Sequence, residues 1–176
     1  MKQAFIIGGI LVVVIGIGLL LFIQDAKDSN LAVKEDSSQV AATGQEFPNL
    51  GQTHIAPSDS HDPYNSNPPT SGSHLAQPAE WGVYSVPLQD EKAIHNLEHG
   101  GIWISYNGID DETKSKLEKI AKYNSGSVVM SPRAANDSKI ALASWTRLEK
   151  LDSYDEAKIL EFIKSNKNKS PEPIAQ

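Results

Sequence analysis

The chain has 176 residues, 16 Lys and Arg against 22 Asp and Glu, a formal net charge of -6 and no cysteine. Once apolar and linker segments are subtracted, one ordinary domain remains, and the acidic balance gives no basis for a nucleic-acid partner, which is held by Lys and Arg neutralising phosphates. The lack of thiols excludes a disulfide framework, a cysteine-ligated zinc or iron–sulfur site and a cysteine nucleophile, so any metal must be held by His, Asp, Glu, Met or water.

Residues 4–23, AFIIGGILVVVIGIGLLLFI, carry no charge, amide or hydroxyl. Twenty such residues at 1.5 Å each match a hydrocarbon core of about 30 Å, so a transmembrane helix is predicted. The run is longer than the apolar region of a cleavable signal peptide and is followed by Gln24-Asp25-Ala26-Lys27 rather than a small-x-small site, which favours an uncleaved signal anchor. Lys2 keeps residues 1–3 in the cytoplasm under the positive-inside tendency and places the rest of the chain in the periplasm or at the cell surface. Residues 24–46 are polar, mixed in charge and aperiodic, as expected of a flexible tether.

The domain proper is expected over residues 47–173. Seven of the ten prolines fall between Pro48 and Pro87, which excludes a long helix or an inner strand there. Phe47, Tyr64, Trp81, Tyr84 and three histidines favour an ordered irregular layer over a disordered one. A short helix is predicted over residues 90–99, opened by Asp90 or Glu91. A strand follows over residues 101–106 and ends at the Asn107-Gly108 turn. After Asp110 and Asp111, which can cap, Leu117, Ile120 and Ala121 recur at helical spacing with lysines on the solvated face. Residues 127–130 and 140–145 read as strands. Ser153-x-x-Glu156 has the form of a capping box before a last helix with an Ile159, Leu160, Ile163 stripe. The predicted class is α+β: a small sheet with two helices on one face and a Pro-rich irregular N-terminal layer, preceded by one transmembrane helix. Trp81, Trp103 and Trp145 are assigned to the core.

All five histidines, His54, His61, His74, His95 and His99, lie between residues 54 and 99. Imidazole is the commonest protein ligand for late transition metals. In His95-Asn96-Leu97-Glu98-His99-Gly100 the two histidines are one helical turn apart and can reach a common ion, while Gly100-Gly101 stops the helix and turns the chain into the next strand. His74 closes Pro68-Pro69-Thr70-Ser71-Gly72-Ser73-His74, where prolines restrict the backbone and Gly72 permits a bend. Candidate ligands are therefore His74, His95 and His99, with His54 or His61 completing the shell. Met130 is core filler or, as a soft thioether, a further ligand favouring copper. Glu98 can orient an imidazole, act as a base or be a surface carboxylate.

These residues resemble a family of exported proteins grouped as domain of unknown function 3105. The resemblance rests on Tyr64, the Pro-Pro-Thr-Ser-Gly-x-His run at 68–74, His95-Asn96-Leu97-Glu98-His99-Gly100 with the strand ending at Tyr106, Trp145 and Pro171-Glu172, and it covers residues 46–173. It implies an extracytoplasmic domain with a His-rich centre, formed by His74, His95 and His99, that binds a metal such as copper, and it supplies no established reaction.

Three functions compete. The first is a membrane-tethered copper-binding protein, zinc being the alternative ion, that stores the metal or exchanges it with a donor or acceptor protein without turnover. The second is a zinc hydrolase, since His95-x-x-Glu98-His99 also reads as H-x-x-E-H, with Glu98 activating a metal-bound water. The third is an interaction module without metal, in which the histidines hydrogen-bond the Pro-rich layer to the sheet.

Overall fold

The computed structural model describes residues 29–32 and 40–176. The apolar run at 4–23 and most of the predicted tether lie outside the described residues, among which no helix is long and apolar enough to cross a membrane. The chain divides into two units, residues 1–32 and 33–176. In the first, Ser29–Leu31 forms a 3-10 turn.

The second unit is α+β. Its strands are β1 (Gln45–Glu46), β2 (His54–Ile55), β3 (His74–Leu75), β4 (Gly82–Val83), β5 (Ile102–Tyr106), β6 (Val128–Pro132), β7 (Ile140–Ser144) and β8 (Arg147–Leu151). Its helices are α1 (Asp90–Glu98), α2 (Asp111–Tyr123) and α3 (Glu156–Asn166). Six strands form a mixed sheet in the order β1-β8-β7-β5-β6-β4, and β2 and β3 form a separate parallel pair. Strands β5 and β6 are parallel, which demands a crossover, and α2 supplies it.

Every residue of β5 is buried, so both faces of the sheet are covered. Alternation along the strands sorts the two layers. Trp103, Val129, Ala141, Ala143 and Leu148 pack with Ala93, Ile94 and Leu97 of α1, and with Phe47, Tyr64, Trp81, Tyr84 and Leu88 of the irregular segment. The opposite-facing Ile102, Ile104, Val128, Met130, Ile140 and Leu142 are fully buried, as are Leu117, Ile120, Ala121, Ile159 and Ile163 of α2 and α3. Hence the two longer helices share one face. The short helix and the Pro-rich layer share the other.

Helix α2 is capped as its sequence suggests: Thr113 N donates to Asp110 Oδ1 at 2.7 Å. Three expectations are corrected. Helix α3 is capped by Asp155, whose Oδ1 accepts from Lys158 N at 3.1 Å, and not by Ser153. Its buried stripe is Ile159, Phe162 and Ile163, with Leu160 only partly buried. Helix α1 follows Gln89 without a side-chain cap. Asp90 instead pairs with Arg133, Nη2 to Oδ2 at 2.7 Å and Nε to Oδ1 at 2.8 Å. Nine residues are too few to hold a helix alone in water. Burial of Ile94 and Leu97, each fully enclosed and contributing about 1.5–3 kcal/mol, fixes α1 and with it the direction of His95 and Glu98.

Candidate metal centre

Two short elements and one helix build the centre. The parallel register of β2 on β3 sets His54 directly beside His74. His74 N donates to Thr53 O at 3.0 Å and Gly72 N to Gly51 O at 2.9 Å, so the two loops hold each other. The Pro68-to-Gly72 stretch is buried, and Tyr64 OH donates to Ser73 O at 2.7 Å, which steadies the backbone just before His74. Helix α1 then delivers His95 and Glu98 from its last turns. Gly100, at φ 84, turns the chain out of the helix, and Gly101 packs so closely under Trp81 that an added Cβ would lie 2.5 Å from the ring.

The ligand atoms of His54, His74, His95 and Glu98 all lie within 4.8 Å of one another. His74 Nε2 is 3.0 Å, His54 Nε2 3.5 Å and His95 Nε2 4.0 Å from Glu98 Oε2. His74 and Glu98 are enclosed, with side chains 0% and 1% exposed, while His54 is 49% exposed and opens the group to solvent. His99 Nε2 lies 3.2 Å from His95 Nε2 and 3.5 Å from Glu172 Oε2, and Glu98, His99 and Glu172 form a second group of the same tightness.

Two outer nitrogens are anchored on backbone carbonyls. His74 Nδ1 donates to Gly72 O at 2.8 Å and His95 Nδ1 to Leu75 O at 2.7 Å. A neutral imidazole has one N–H, so a neutral His95 turns its Nε2 lone pair inward, while His74 Nε2 lies at hydrogen-bonding distance, 3.0 Å, from Glu98 Oε2. Burial holds His95 below the ordinary imidazole value, and the neighbouring His99 and His74 push it the same way, which keeps that ring neutral near pH 7. The His95 Nε2 lone pair and the buried Glu98 carboxylate both attract a cation placed between them. A four-coordinate ion with bonds of about 2.1 Å spaces its ligands by about 3.4 Å, and the three imidazole nitrogens lie 3.0 to 4.0 Å from Glu98 Oε2.

The remaining predicted ligands lie elsewhere. His61 sits against Tyr64, with Nδ1 donating to Asp62 O at 2.7 Å and Nε2 3.3 Å from Glu91 Oε1. Met130 pairs with Ile104 and Val83 and faces the sheet side opposite Trp103 and α1, so it belongs to neither ligand group. The Asp62 carbonyl, more than Glu91, raises the His61 value. A raised folded value means that the stabilisation is present in full below the unfolded value of about 6.5 and fades as pH rises through the folded one. His61→Gln is therefore expected to lower the melting temperature at about pH 5.5 but hardly at about pH 8. An equal drop at both would contradict this assignment.

Two residues have roles beyond those their sequence context suggests. Glu98, which reads from the sequence as an orienting partner, a base or a surface carboxylate, is a member of the inner group. Glu172 comes from the C-terminal tail, where only the Pro171-Glu172-Pro173 punctuation marked the place.

The chain matches the family model described as "Protein of unknown function (DUF3105)" over residues 55–176. No curated protein matches it, and no solved structure does. With well over half of its length matched, the chain belongs to that family of proteins of unknown function. His74, His95, Glu98, His99 and Glu172 lie inside the matched stretch, and His54 immediately precedes it.

Proposed function

We propose that this is a metal-binding protein in which His54, His74, His95 and Glu98 hold one divalent transition-metal ion, copper before zinc. The observation that carries this is the convergence of two Nδ1-anchored imidazoles on a buried carboxylate oxygen, with Nε2 of His74 3.0 Å from Glu98 Oε2. Removing one carboxylate from water without a counter-charge costs several kcal/mol, and a bound cation offsets that cost. Three imidazole nitrogens and one carboxylate oxygen, with no thiolate, suit Cu(II) or Zn(II). Copper heads the affinity order for such donors. The thioether of Met130 is not among them, which favours the divalent ion over Cu(I).

The apolar run at 4–23 supports a tether that displays the domain outside the cytoplasm, where the ion meets no cytosolic thiols. His54, half-exposed, gives the ion a way in and out, as binding, buffering and transfer to a partner protein require. In the hydrolase alternative Glu98 must be free to take a proton from bound water. Its contacts with His54 and His74 put it in a ligand's position instead, so coordination without turnover is the function adopted. The interaction-module alternative accounts for the Nδ1 hydrogen bonds and for the His74 Nε2 contact with Glu98, but not for the convergence of three imidazoles on one buried carboxylate.

Metal analysis of the untagged full-length chain tests the proposal. Copper or zinc is expected at no less than about one ion per chain, and chelation is expected to lower the melting temperature reversibly. An ion present at about 1,000 times its Kd adds about 4 kcal/mol to folding stability. A melting temperature indifferent to both ions would overturn the proposal.

A further inference from the structure

The C-terminal tail is fastened to the end of α1. Asn168 N donates to Gly100 O at 2.9 Å, Glu172 N to Glu98 O at 3.1 Å, Ile174 N and Ala175 N to His99 O at 3.1 Å each, and Gln176 N to Gly126 O at 2.9 Å. The Asn168 side chain clamps Ala175 by two further bonds, Nδ2 to its O at 2.9 Å and its N to Oδ1 at 3.0 Å. Gly100 admits this packing, since a Cβ there would meet Asn168 Oδ1 at 2.4 Å. These bonds hold Glu172 against His99 although its side chain is 55% exposed. An exposed carboxylate ordinarily has no fixed place. Here the backbone on both sides of it is tied down.

We infer that the tail completes a second cation position beside the first, formed by Glu98, His99 and Glu172 with Glu98 bridging the two ions. The inference rests on occupancy of the first position by His54, His74, His95 and Glu98. His99 does not join His54 and His74 in the inner group, yet its Nε2 lies 3.2 Å from that of His95 and its group shares Glu98. Two ions spaced by about 3.5–4 Å are the usual partners of a bridging carboxylate. Glu98 Oε2 faces the inner histidines, and a carboxylate has a second oxygen to offer. The inner position is enclosed by His74 and Glu98, whereas the outer one has three protein ligands, one of them exposed, so water completes its shell. The outer ion is thus the more readily exchanged of the two.

Zn(II) titration of the full-length chain, followed by calorimetry and by metal content after dialysis, tests this. Wild type is expected to take up two ions, one tightly and one more weakly. Glu172→Gln, an exposed change that leaves the tail's backbone bonds in place, is expected to weaken the second event by at least the factor of about 10 to 100 that outer partners alone are worth, with the first unchanged. A single equivalent in both proteins would overturn the second position and leave the first standing. A second equivalent that survives Glu172→Gln but disappears in His61→Gln would assign it to the His61–Glu91 pair and overturn the inference. No zinc bound by wild type would remove both positions together.

Discussion

Replacing His74 by Ala is expected to weaken Zn(II) or Cu(II) binding by a factor on the order of 100 or more, which corresponds to about 2.7 kcal/mol. The side chain is fully enclosed, its Nδ1 is committed to Gly72 O and its Nε2 is the group nearest to Glu98. No rotamer of another residue can take its place, because the register of β2 on β3 fixes His54 beside it and α1 fixes His95 opposite. Altering partners that merely orient a ligand costs about 10- to 100-fold, so loss of a buried ligand sets a larger effect. His54→Ala is the graded comparison. That ring is half exposed, and water can occupy the vacated position, so a smaller loss is expected. Calorimetric titration at a temperature where circular dichroism shows all three proteins folded gives the answer. Equal affinity of His74→Ala and wild type would remove the buried site from consideration, and a larger loss in His54→Ala would place the principal ligand at the solvent edge.

What could be read in the sequence was what local periodicity and turn chemistry determine. Leu117, Ile120 and Ala121 announce α2, and the glycine stop after His99 announces the end of α1, since each follows from residues within one or two turns. Strand β8 gave no such signal. Arg147-Leu148-Glu149-Lys150-Leu151 is rich in charge, and the turn before it holds Thr146 at φ 61, a conformation that β-branched residues rarely adopt. Thr146 is kept there from outside: its N donates to Thr70 O at 3.0 Å and its O accepts from Phe47 N at 2.9 Å. The site divides the same way. His95 and His99 could be paired by helical spacing alone. The neighbourhood of His54 and His74 comes from parallel pairing of two irregular segments, and His61, closer in sequence to His54 than His74 is, stands apart. In a layer without period, closeness along the chain carries no direction. Glu172 was equally hidden, because backbone bonds to residues 98–100 bring the tail to the site.

Asn96→Ala is expected to destabilise the fold by about 2–4 kcal/mol while leaving the ligand set intact. The side chain, buried between two ligand-bearing turns of α1, donates from Nδ2 to Ala79 O at 2.9 Å and accepts at Oδ1 from Ala79 N at 2.9 Å. That amide does for Ala79 what a neighbouring strand would do, in a segment that has none. Ala79 is itself 8% exposed, so truncation strands a donor and an acceptor out of reach of bulk water, at about 1–3 kcal/mol each. A domain of this size loses about 2–4 °C of melting temperature per kcal/mol, which makes a drop of about 5–15 °C the expected result. Asn96→Asp separates the two bonds. It keeps the acceptor for Ala79 N but sets a carboxylate oxygen against Ala79 O, so it should be no better tolerated than alanine. Because Asn96 touches no ligand atom, metal stoichiometry at low temperature should match wild type in both variants, the reverse of the pattern expected for His74→Ala. A melting temperature within about 1 °C of wild type would show that water reaches Ala79 after all. Loss of metal at full stability would move Asn96 from the scaffold to the centre itself.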